Sequence, residues 1–408
     1  MVRPLVAGRS LLVLSTLLLA AVLAVASTAG AEEIAEGHYG SNKERAEGSI
    51  PSLGGKIIGY DAYTTKNGRP PKVLILGTSR GMMLDPREVK KVSGVSAFNA
   101  SVSDGAAREL LAMGSFAGLR TPGREPHLVI MFDIEGLDRR TPTKRVTMTI
   151  EAEAKARKAC HKASKCAKAW RSSANAIVRS AKQGHEGRPD LSLLQRPDGM
   201  IRSPHLARME REGADFAAIR AHRIQVRVNS YRPGHGFDKL MPIPMASAED
   251  LIKLANAWGD TPTIVITAMH PDCIRICGPA GWNAHHRDAL AWFAKLGRTH
   301  SFDLHDFSDA RSFGGSAASF YEEIHLRPEA ATMVVKKIDS FGGWNVDPRA
   351  PKADAPRSMP KVPDATAATD TASDAPAPGA PAPASATPRA ASFLEHGINQ
   401  LHAVTRSA

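Results

Sequence analysis

The residues most able to do chemistry in this sequence are a serine near its start and a histidine near its end. The apolar run in LILGTSRGMML (residues 74–84) ends at Gly77, two residues before Ser79, and the segment EEIHLRPEAA places Glu322 three residues before His325. A serine hydroxyl becomes a nucleophile when a histidine takes its proton and a carboxylate orients that histidine. A serine at a strand end is more often only a turn residue, so the interpretation depends on where the fold puts His325.

Strand-like and helical segments alternate around these residues. Several of the strand-like segments are short apolar runs without clean alternation, which is typical of strands buried on both faces. Strands that alternate with helices favour right-handed crossovers and a parallel sheet, and ligands bind where the strand order of such a sheet reverses, beside the first strand and therefore near Ser79. The sequence predicts an α/β, three-layer sandwich with a five-stranded parallel (flavodoxin-like) sheet. Its strands are expected at residues 72–77, 96–101, 127–133, 263–269 and 301–307.

The helical patterns between these strands have recognisable ends. Ser247 with Asp250 has the pattern of an N-cap followed by an acid in the first turn. Gly259 and Gly297 are predicted to end their helices, and a further helix is expected to begin near Pro328. The patterns that separate the strands lie at residues 104–119, 247–259 and 285–297.

Both ends of the chain differ in composition from the predicted domain. Early arginines, an apolar run and the small residues AGA predict that residues 1–31 are a secretory signal peptide. The mature protein is then secreted or extracytoplasmic, with no stable membrane span after cleavage, and an uncleaved N-terminal anchor is the alternative. Residues 32–71 are predicted to be an N-terminal arm that lies on the domain. The Pro/Ala-rich residues 347–408 are predicted to be a disordered tail.

A basic, mainly helical insertion at residues 139–245 interrupts the alternation. From Arg139 to Lys239 it carries 23 Lys and Arg against 9 Asp and Glu, in a chain of net charge +12. Its Ala-rich part predicts a helix or helical hairpin with one buried stripe. Because the insertion leaves the carboxyl end of the third strand, we expect a helical lid over the Ser79 cleft. For a secreted protein an anionic polymer, rather than nucleic acid, is the expected partner, and a merely solvated basic helix face is the alternative.

Neither the cysteines nor the histidines are interpreted as metal ligands. In an oxidising compartment Cys160, Cys166, Cys273 and Cys277 are predicted to form two disulfide bonds. Cys273 and Cys277 are close enough in sequence to pair locally, whereas Cys160 and Cys166 are too far apart if one continuous helix carries both. Either that segment contains a turn or each cysteine pairs elsewhere. The histidines between residues 270 and 305 lack ligand spacing, are interpreted as surface or loop residues, and no cofactor is predicted.

Four segments, in this order, resemble the SGNH (GDSL-type) hydrolase superfamily. They are ILGTSRGM, FNASVSDGA, PHLVIMFDIEGLD and FYEEIHLRPEAA, and the resemblance covers residues 72–138 and 245–338. It is most similar to extracytoplasmic members that resemble the alginate and wall-polymer acyl-transfer proteins. The resemblance implies that Ser79 is the nucleophile, that His325 is the general base, and that Glu322 orients the imidazole.

The chain departs from the family pattern at the acid and at the oxyanion donors. Glu322 stands where the family usually has Asp. The second block usually offers a glycine N–H to the oxyanion, and the aligned residue is Ser101, whose N–H could still serve. The third block's asparagine donor has no counterpart, because carboxylates such as Asp133 follow the third strand instead, and losing one donor typically costs about 10²–10³ in turnover. Arg80, Asn99 or a residue of the insertion is expected to substitute, or else activity is weak or absent.

These observations predict a secreted, SGNH-type serine esterase or O-acyltransferase within residues 72–346. Its substrate would bear an ester, as in an acylated glycan or wall polymer, and the acceptor would be water or a sugar hydroxyl. The alternative is a non-catalytic SGNH-like module that binds wall polymer or protein partners through the basic insertion.

Overall fold

The computed structural model of the protein describes residues 53–103, 105–137, 144–159, 163–183, 196–200, 209–210 and 212–345. The predicted signal peptide and the predicted tail lie outside these ranges, as do Cys160 and residues 184–195 and 201–208 of the insertion. Within the described ranges, no helix is both long enough and apolar enough to cross a membrane.

Five strands form a single sheet in which every neighbouring pair is parallel. Their order is β2-β1-β3-β4-β5, which is the flavodoxin-like order, so the strand order reverses beside β1. The predicted fold class is confirmed, and each strand is shorter than the sequence pattern suggested. The strands are β1 (Val73–Gly77), β2 (Ala97–Asn99), β3 (His127–Phe132), β4 (Thr263–Ile266) and β5 (Asp303–Asp306).

Alternate residues of the central strands belong to two separate hydrophobic cores. On β1, Leu74 and Leu76 pack into one core, whereas Val73 and Ile75 pack into the other. Helices cover both faces of the sheet, so both sets of side chains must be apolar, and the strand reads as a continuous apolar run. The edge strand β5, with the sequence DLHD, is only half-buried along its length.

The helices are arranged on the two faces of this sheet. The first core is built with α1, α3, α7 and α9, and the second with α2 and α10, which gives the predicted three layers. Together they bury the central strands completely. The described helices are α1 (Leu53–Asn67), α2 (Pro86–Ser93), α3 (Ala107–Arg120), α4 (Lys144–Ala159), α5 (Ala163–Gln183), α6 (Phe216–Ser230), α7 (Pro242–Ala257), α8 (Pro271–Cys277), α9 (Asn283–Leu296) and α10 (Pro328–Ser340).

One local prediction, the N-cap of α7, was wrong. Helix α7 begins at Pro242 rather than at Ser247, because proline is well tolerated in the first turn of a helix. The Ser247 hydroxyl therefore lies inside the helix, where it donates to the carbonyl of Ile243 at 3.0 Å. The second half of the predicted arm is the helix α1, which buries Ile57 and Tyr60 in the first core.

The Ala-rich part of the insertion does not form the lid that its position suggested. It forms the two helices α4 and α5, with Trp170, Ala174 and Ile177 of the predicted stripe buried. These helices pack on α1 and α3, at one face of the sheet, instead of over Ser79. The element that reaches the Ser79 region is the later helix α6 of the insertion, as described below.

The prediction that the four cysteines form two disulfide bonds is wrong for Cys273 and Cys277. Both thiols are free and fully buried on α8, with their Sγ atoms 3.4 Å apart, well beyond the ~2.05 Å of a covalent bond. The helix places residues four apart side by side, so the two thiols share a hydrogen bond instead of a disulfide. Cys166, on α5, is disulfide-bonded.

A buried lysine ties α1 to the edge of the sheet. Lys56 is 1% exposed, and its Nζ donates to the carbonyls of Asn99 at 2.9 Å and Gly199 at 2.6 Å. Burial lowers the pKa of Lys56 to about 7, against the opposing influence of the Asp198 carboxylate. The lysine therefore joins the predicted arm, the end of β2 and the insertion at one point.

This lysine should make the protein more stable as the pH rises from about 7 towards 10.5. In that window the unfolded chain keeps the Lys56 proton while the folded protein releases it, so the free energy of unfolding increases with pH. Relative to Lys56→Met, wild type should gain about 1–2 kcal/mol between pH 7.5 and 9, measured by urea unfolding. Lys66→Met, at an exposed position of the same helix, is the control. Parallel pH dependences for wild type and Lys56→Met would contradict the prediction.

Candidate active site

The turn that carries Ser79 is held tightly against the neighbouring strand. Ser79 follows the carboxyl end of β1 and precedes a short 3₁₀ turn at Gly81–Met83. A Cβ atom on Gly77, the last residue of β1, would lie 2.9 Å from both the Cβ and the carbonyl oxygen of Met131 on β3. Glycine is therefore required there by packing, and the close approach of the two strands fixes where the serine turn emerges.

The histidine lies on a compact loop that returns on itself before α10. The Tyr321 N–H donates to the carbonyl of His325 at 2.9 Å, and Phe320 forms an isolated antiparallel bridge with Leu326. Helix α10 begins at Pro328, as the sequence predicted. The short bridge holds the residues between Tyr321 and His325 in one tight turn, and His325 is the last residue of that turn.

These two segments bring the predicted serine, histidine and glutamate together. The Oγ of Ser79 lies 2.8 Å from Nε2 of His325, and Nδ1 of His325 lies 2.7 Å from Oε1 of Glu322. The Glu322 side chain is 1% exposed and that of His325 is 17% exposed, while Ser79 is half-buried. The contacts run in the order hydroxyl, imidazole, carboxylate, which is the order that proton transfer from a serine nucleophile requires.

The Glu322 carboxylate is held in place through both of its oxygens. Its Oε1 also accepts from the backbone N–H of His325 at 2.7 Å, and its Oε2 forms an ion pair with Nη1 of Arg223. Burial by itself would raise the pKa of Glu322, but the His325 and Arg223 charges and the hydrogen bonds from His325 hold it well below its usual value. The longer arm of glutamate, compared with aspartate, reaches the imidazole because the carboxylate folds back onto the backbone of its own loop.

The donors predicted to stabilise an oxyanion are engaged within the protein. The Ser101 N–H donates to Oδ1 of Asn99 at 3.0 Å, and Nδ2 of Asn99 donates to the carbonyls of Gly81 and Leu84. Asn99 thereby braces the serine turn instead of facing the cleft. Among the hydrogen bonds of the described residues, none uses the backbone N–H of Ser79, so this donor stays available.

Arg80 is likewise not a free anion-binding group. It is 6% exposed, and its guanidinium contacts Glu135 at 2.9 Å, Thr267 at 3.0 Å and Asp133 at 3.5 Å. Asp133 also accepts from the hydroxyls of Thr267 and Thr78. Asp133 and Glu135, which follow β3, are thus the counter-ions of the arginine that follows the candidate nucleophile.

Glu135 is the centre of this buried charge cluster. It accepts from Arg80 at 2.9 Å and from the Tyr231 hydroxyl at 2.6 Å, and Nη1 of Arg227 lies 3.4 Å away. Burial alone would raise the pKa of Glu135, but Arg80, Arg227 and the Tyr231 hydroxyl lower it to about 2. Arg227 also contacts Glu323, the neighbour of Glu322, at 3.1 Å, so the cluster extends from the serine turn to the histidine loop.

Helix α6 supplies the residues that sequence reasoning missed. Arg223 and Arg227 lie one turn apart on this helix and meet the carboxylates of the histidine loop. With Arg220 they form a basic stripe at spacings of three and four, with the buried Ile224 beside it. That spacing is typical of one face of a helix, but nothing in the sequence indicated which carboxylates this face would contact.

The histidines between residues 270 and 305 were only partly understood from the sequence. His270 and His285 are each 1% exposed, so they are not surface residues. His270 accepts the N–H of Asp272 and caps α8, and His286 lies 3.0 Å from Asp306. The described part of the chain contains no group of three side chains suited to hold a metal ion.

Comparison with known proteins adds nothing to this geometry: no family model matches the chain, and no curated protein matches it either.

Proposed function

We propose that the protein is a serine ester hydrolase or O-acyltransferase that acts on an ester-bearing substrate, such as an acylated glycan or wall polymer. Ser79 attacks the ester carbonyl, and His325 accepts the hydroxyl proton and later returns it to the leaving alcohol. Glu322 orients the imidazole and balances its charge while it is protonated. Water or a sugar hydroxyl then takes the acyl group from Ser79, and no cofactor is needed.

One observation carries this proposal: a serine and a histidine that are 246 residues apart in sequence lie 2.8 Å apart, and the histidine has a buried carboxylate behind it. A serine that serves only as a turn residue has no need of such a pair. Ser79 lies at the carboxyl edge of the sheet, beside the reversal of strand order. α/β proteins bind ligands at this position. From the leader predicted by the sequence we infer that this activity takes place outside the cytoplasm.

Hydrolysis of p-nitrophenyl acetate tests the proposal most directly. Wild type should release p-nitrophenol faster than Ser79→Ala, and intact-mass measurement after rapid acid quenching should find an acetyl group on wild type only. Equal rates for the two proteins, together with no acetyl adduct, would remove the proposed mechanism.

A specific observation favours the alternative of a non-catalytic binding module. The Ser101 N–H and the Arg80 guanidinium are already occupied by Asn99 and by the carboxylates after β3, so of the candidate donors the Ser79 N–H is the one without a partner among the described residues. A protein of this kind would bind polymer through the basic insertion without turnover. It would bind acylated glycan equally well with Ser79 or with alanine at that position.

Glu322→Gln should lower turnover less than loss of Ser79 or His325 does. Glutamine can still hold the imidazole, but it lacks the charge that stabilises the imidazolium. The expected loss in kcat is about 10- to 100-fold smaller than for His325→Ala, by analogy with triads in which the acid is the least costly member to remove. Asp306→Asn, which removes the carboxylate beside His286 instead, is the control and should leave kcat near wild type. An unchanged kcat in Glu322→Gln together with a strongly lowered kcat in Asp306→Asn would show that Glu322 is not the acid of the triad.

A further inference from the structure

The carboxylate of Glu322 has two oxygens with different tasks. Oε1 faces the loop, where it meets Nδ1 and the backbone N–H of His325, both at 2.7 Å. Oε2 faces away from the loop and is paired with Nη1 of Arg223. The contacts of Oε1 alone would leave the other oxygen of this buried carboxylate without a partner. Arg223 supplies that partner.

Arg223 does not belong to the sheet domain on which the serine and the histidine stand. It comes from α6, in the insertion, and its side chain is 36% exposed, whereas the side chain of Glu322 is 1% exposed. The helix is anchored beside it by Arg227, which meets Glu323 and Glu135, and by the buried Ile224. Arg223 therefore reaches the carboxylate from a firmly seated position.

We propose that Arg223 is a positioning residue of the active site, which fixes the Glu322 carboxylate and sets the proton affinity of His325 through it. This rests on the proposed function. Nη1 of Arg223 satisfies the oxygen of Glu322 that the imidazole does not use, so the other oxygen stays aligned with Nδ1. Its positive charge also opposes the charge that His325 acquires when it takes the serine proton. The insertion thus completes the catalytic array, in addition to any part it has in substrate binding.

The other charged groups near the histidine loop form ion pairs among themselves, whereas Arg223 contacts the carboxylate that holds His325. Arg223 also lies 3.9 Å from Glu323, but its short contact is to Glu322. His270 lies close by through its backbone, which donates to the carbonyl of Glu323. The pairs are Arg227 with Glu323 and Glu135, Arg80 with Asp133 and Glu135, Arg327 with Glu210, and Arg220 with Asp272.

Three variants of the full protein test the proposal. Arg223→Gln removes both the charge and the guanidinium, Arg223→Lys keeps the charge, and Arg220→Gln removes an equal charge one turn earlier on α6, at a residue that pairs with Asp272 instead of Glu322. The readouts are kcat and KM for p-nitrophenyl acetate across pH 4–9, and the ¹⁵N titration of the His325 imidazole by NMR. Thermal unfolding of each variant checks that it is folded.

Arg223→Gln should lower kcat by about 10-fold with little change in KM, as expected for a group that acts only through the catalytic base. Loss of a nearby positive charge favours the imidazolium form of His325. The acid limb of the pH–rate profile and the midpoint of the His325 NMR titration should therefore both move to higher pH by about half a unit. Arg223→Lys should keep the wild-type midpoint, and Arg220→Gln should match wild type in both readouts.

Two results would overturn the role of Arg223. One is an unchanged His325 midpoint in Arg223→Gln, and the other is an equal shift in Arg220→Gln, which would indicate only a general effect of charge. The NMR titration does not need turnover. If wild type and Ser79→Ala hydrolyse the ester equally but the midpoint still shifts in Arg223→Gln, the proposed function fails while the linkage between Arg223 and His325 stands.

Discussion

Ser79→Ala and His325→Ala should each lower the turnover of p-nitrophenyl acetate by about four orders of magnitude or more relative to wild type, and to the same degree. The two side chains share one hydrogen bond of 2.8 Å, so neither the nucleophile nor its base can work without the other. Members of a triad act as a unit, and removing one costs about as much as removing both. The double variant should therefore be no slower than either single variant, and steady-state kcat/KM of the three proteins is the measurement.

Ser103→Ala is a matched control, because this serine is also half-buried and also follows a strand end, after β2. It should retain wild-type turnover. Additive losses in the double variant would show that Ser79 and His325 do not act on the same step. Residual activity of His325→Ala near that of wild type would remove the histidine from the mechanism.

The second large effect concerns stability. Glu135→Gln should lower the free energy of unfolding by about 3–5 kcal/mol, because it leaves Arg80 and Arg227 without the carboxylate between them. Breaking one partner of a buried ion pair leaves a charge that neither water nor a counter-ion compensates. Urea unfolding at pH 7 gives the value, and the low pKa of Glu135 implies that wild type loses the same contribution as the pH falls through about 2.

Glu249→Gln provides the comparison on α7. Its carboxylate pairs with Lys253 at 2.7 Å, but the Glu249 side chain is 34% exposed, so the loss should be no more than about 1 kcal/mol. Similar losses for the two variants would mean that the buried cluster contributes no more than a surface ion pair.

The fold and the positions of the predicted catalytic residues were accessible from sequence because each depends on local signals. The continuous apolar runs of β1 and β3 reflect burial on both faces, and parallel strands bring their carboxyl ends to one edge. Ser79 and His325 each stand at such an edge, next to a strand or just before a helix with proline at its start. The geometry that joins them follows once the sheet order is known.

The contacts that surround these residues could not be read in the same way. The sequence showed a missing asparagine and carboxylates after β3, but not that Asp133 and Glu135 neutralise Arg80. It showed a basic stripe on α6, but the meeting of Arg223 with Glu322 depends on the path of the insertion through space. The compartment and the spacing suggested that Cys273 and Cys277 could form a disulfide. The sequence did not show that both are buried as free thiols.

The separation of Ser79 from its base along the chain has a consequence for the order of synthesis. The contact between them spans 246 residues, and β4 and β5 lie between them in sequence. Contacts of such long range form late, after most of the chain has been made and folded. A growing chain on the ribosome already carries the serine turn, but it gains no base until the last strand has emerged. Under the proposed function, copies of the chain that end before His325 lack the general base and should not cleave esters.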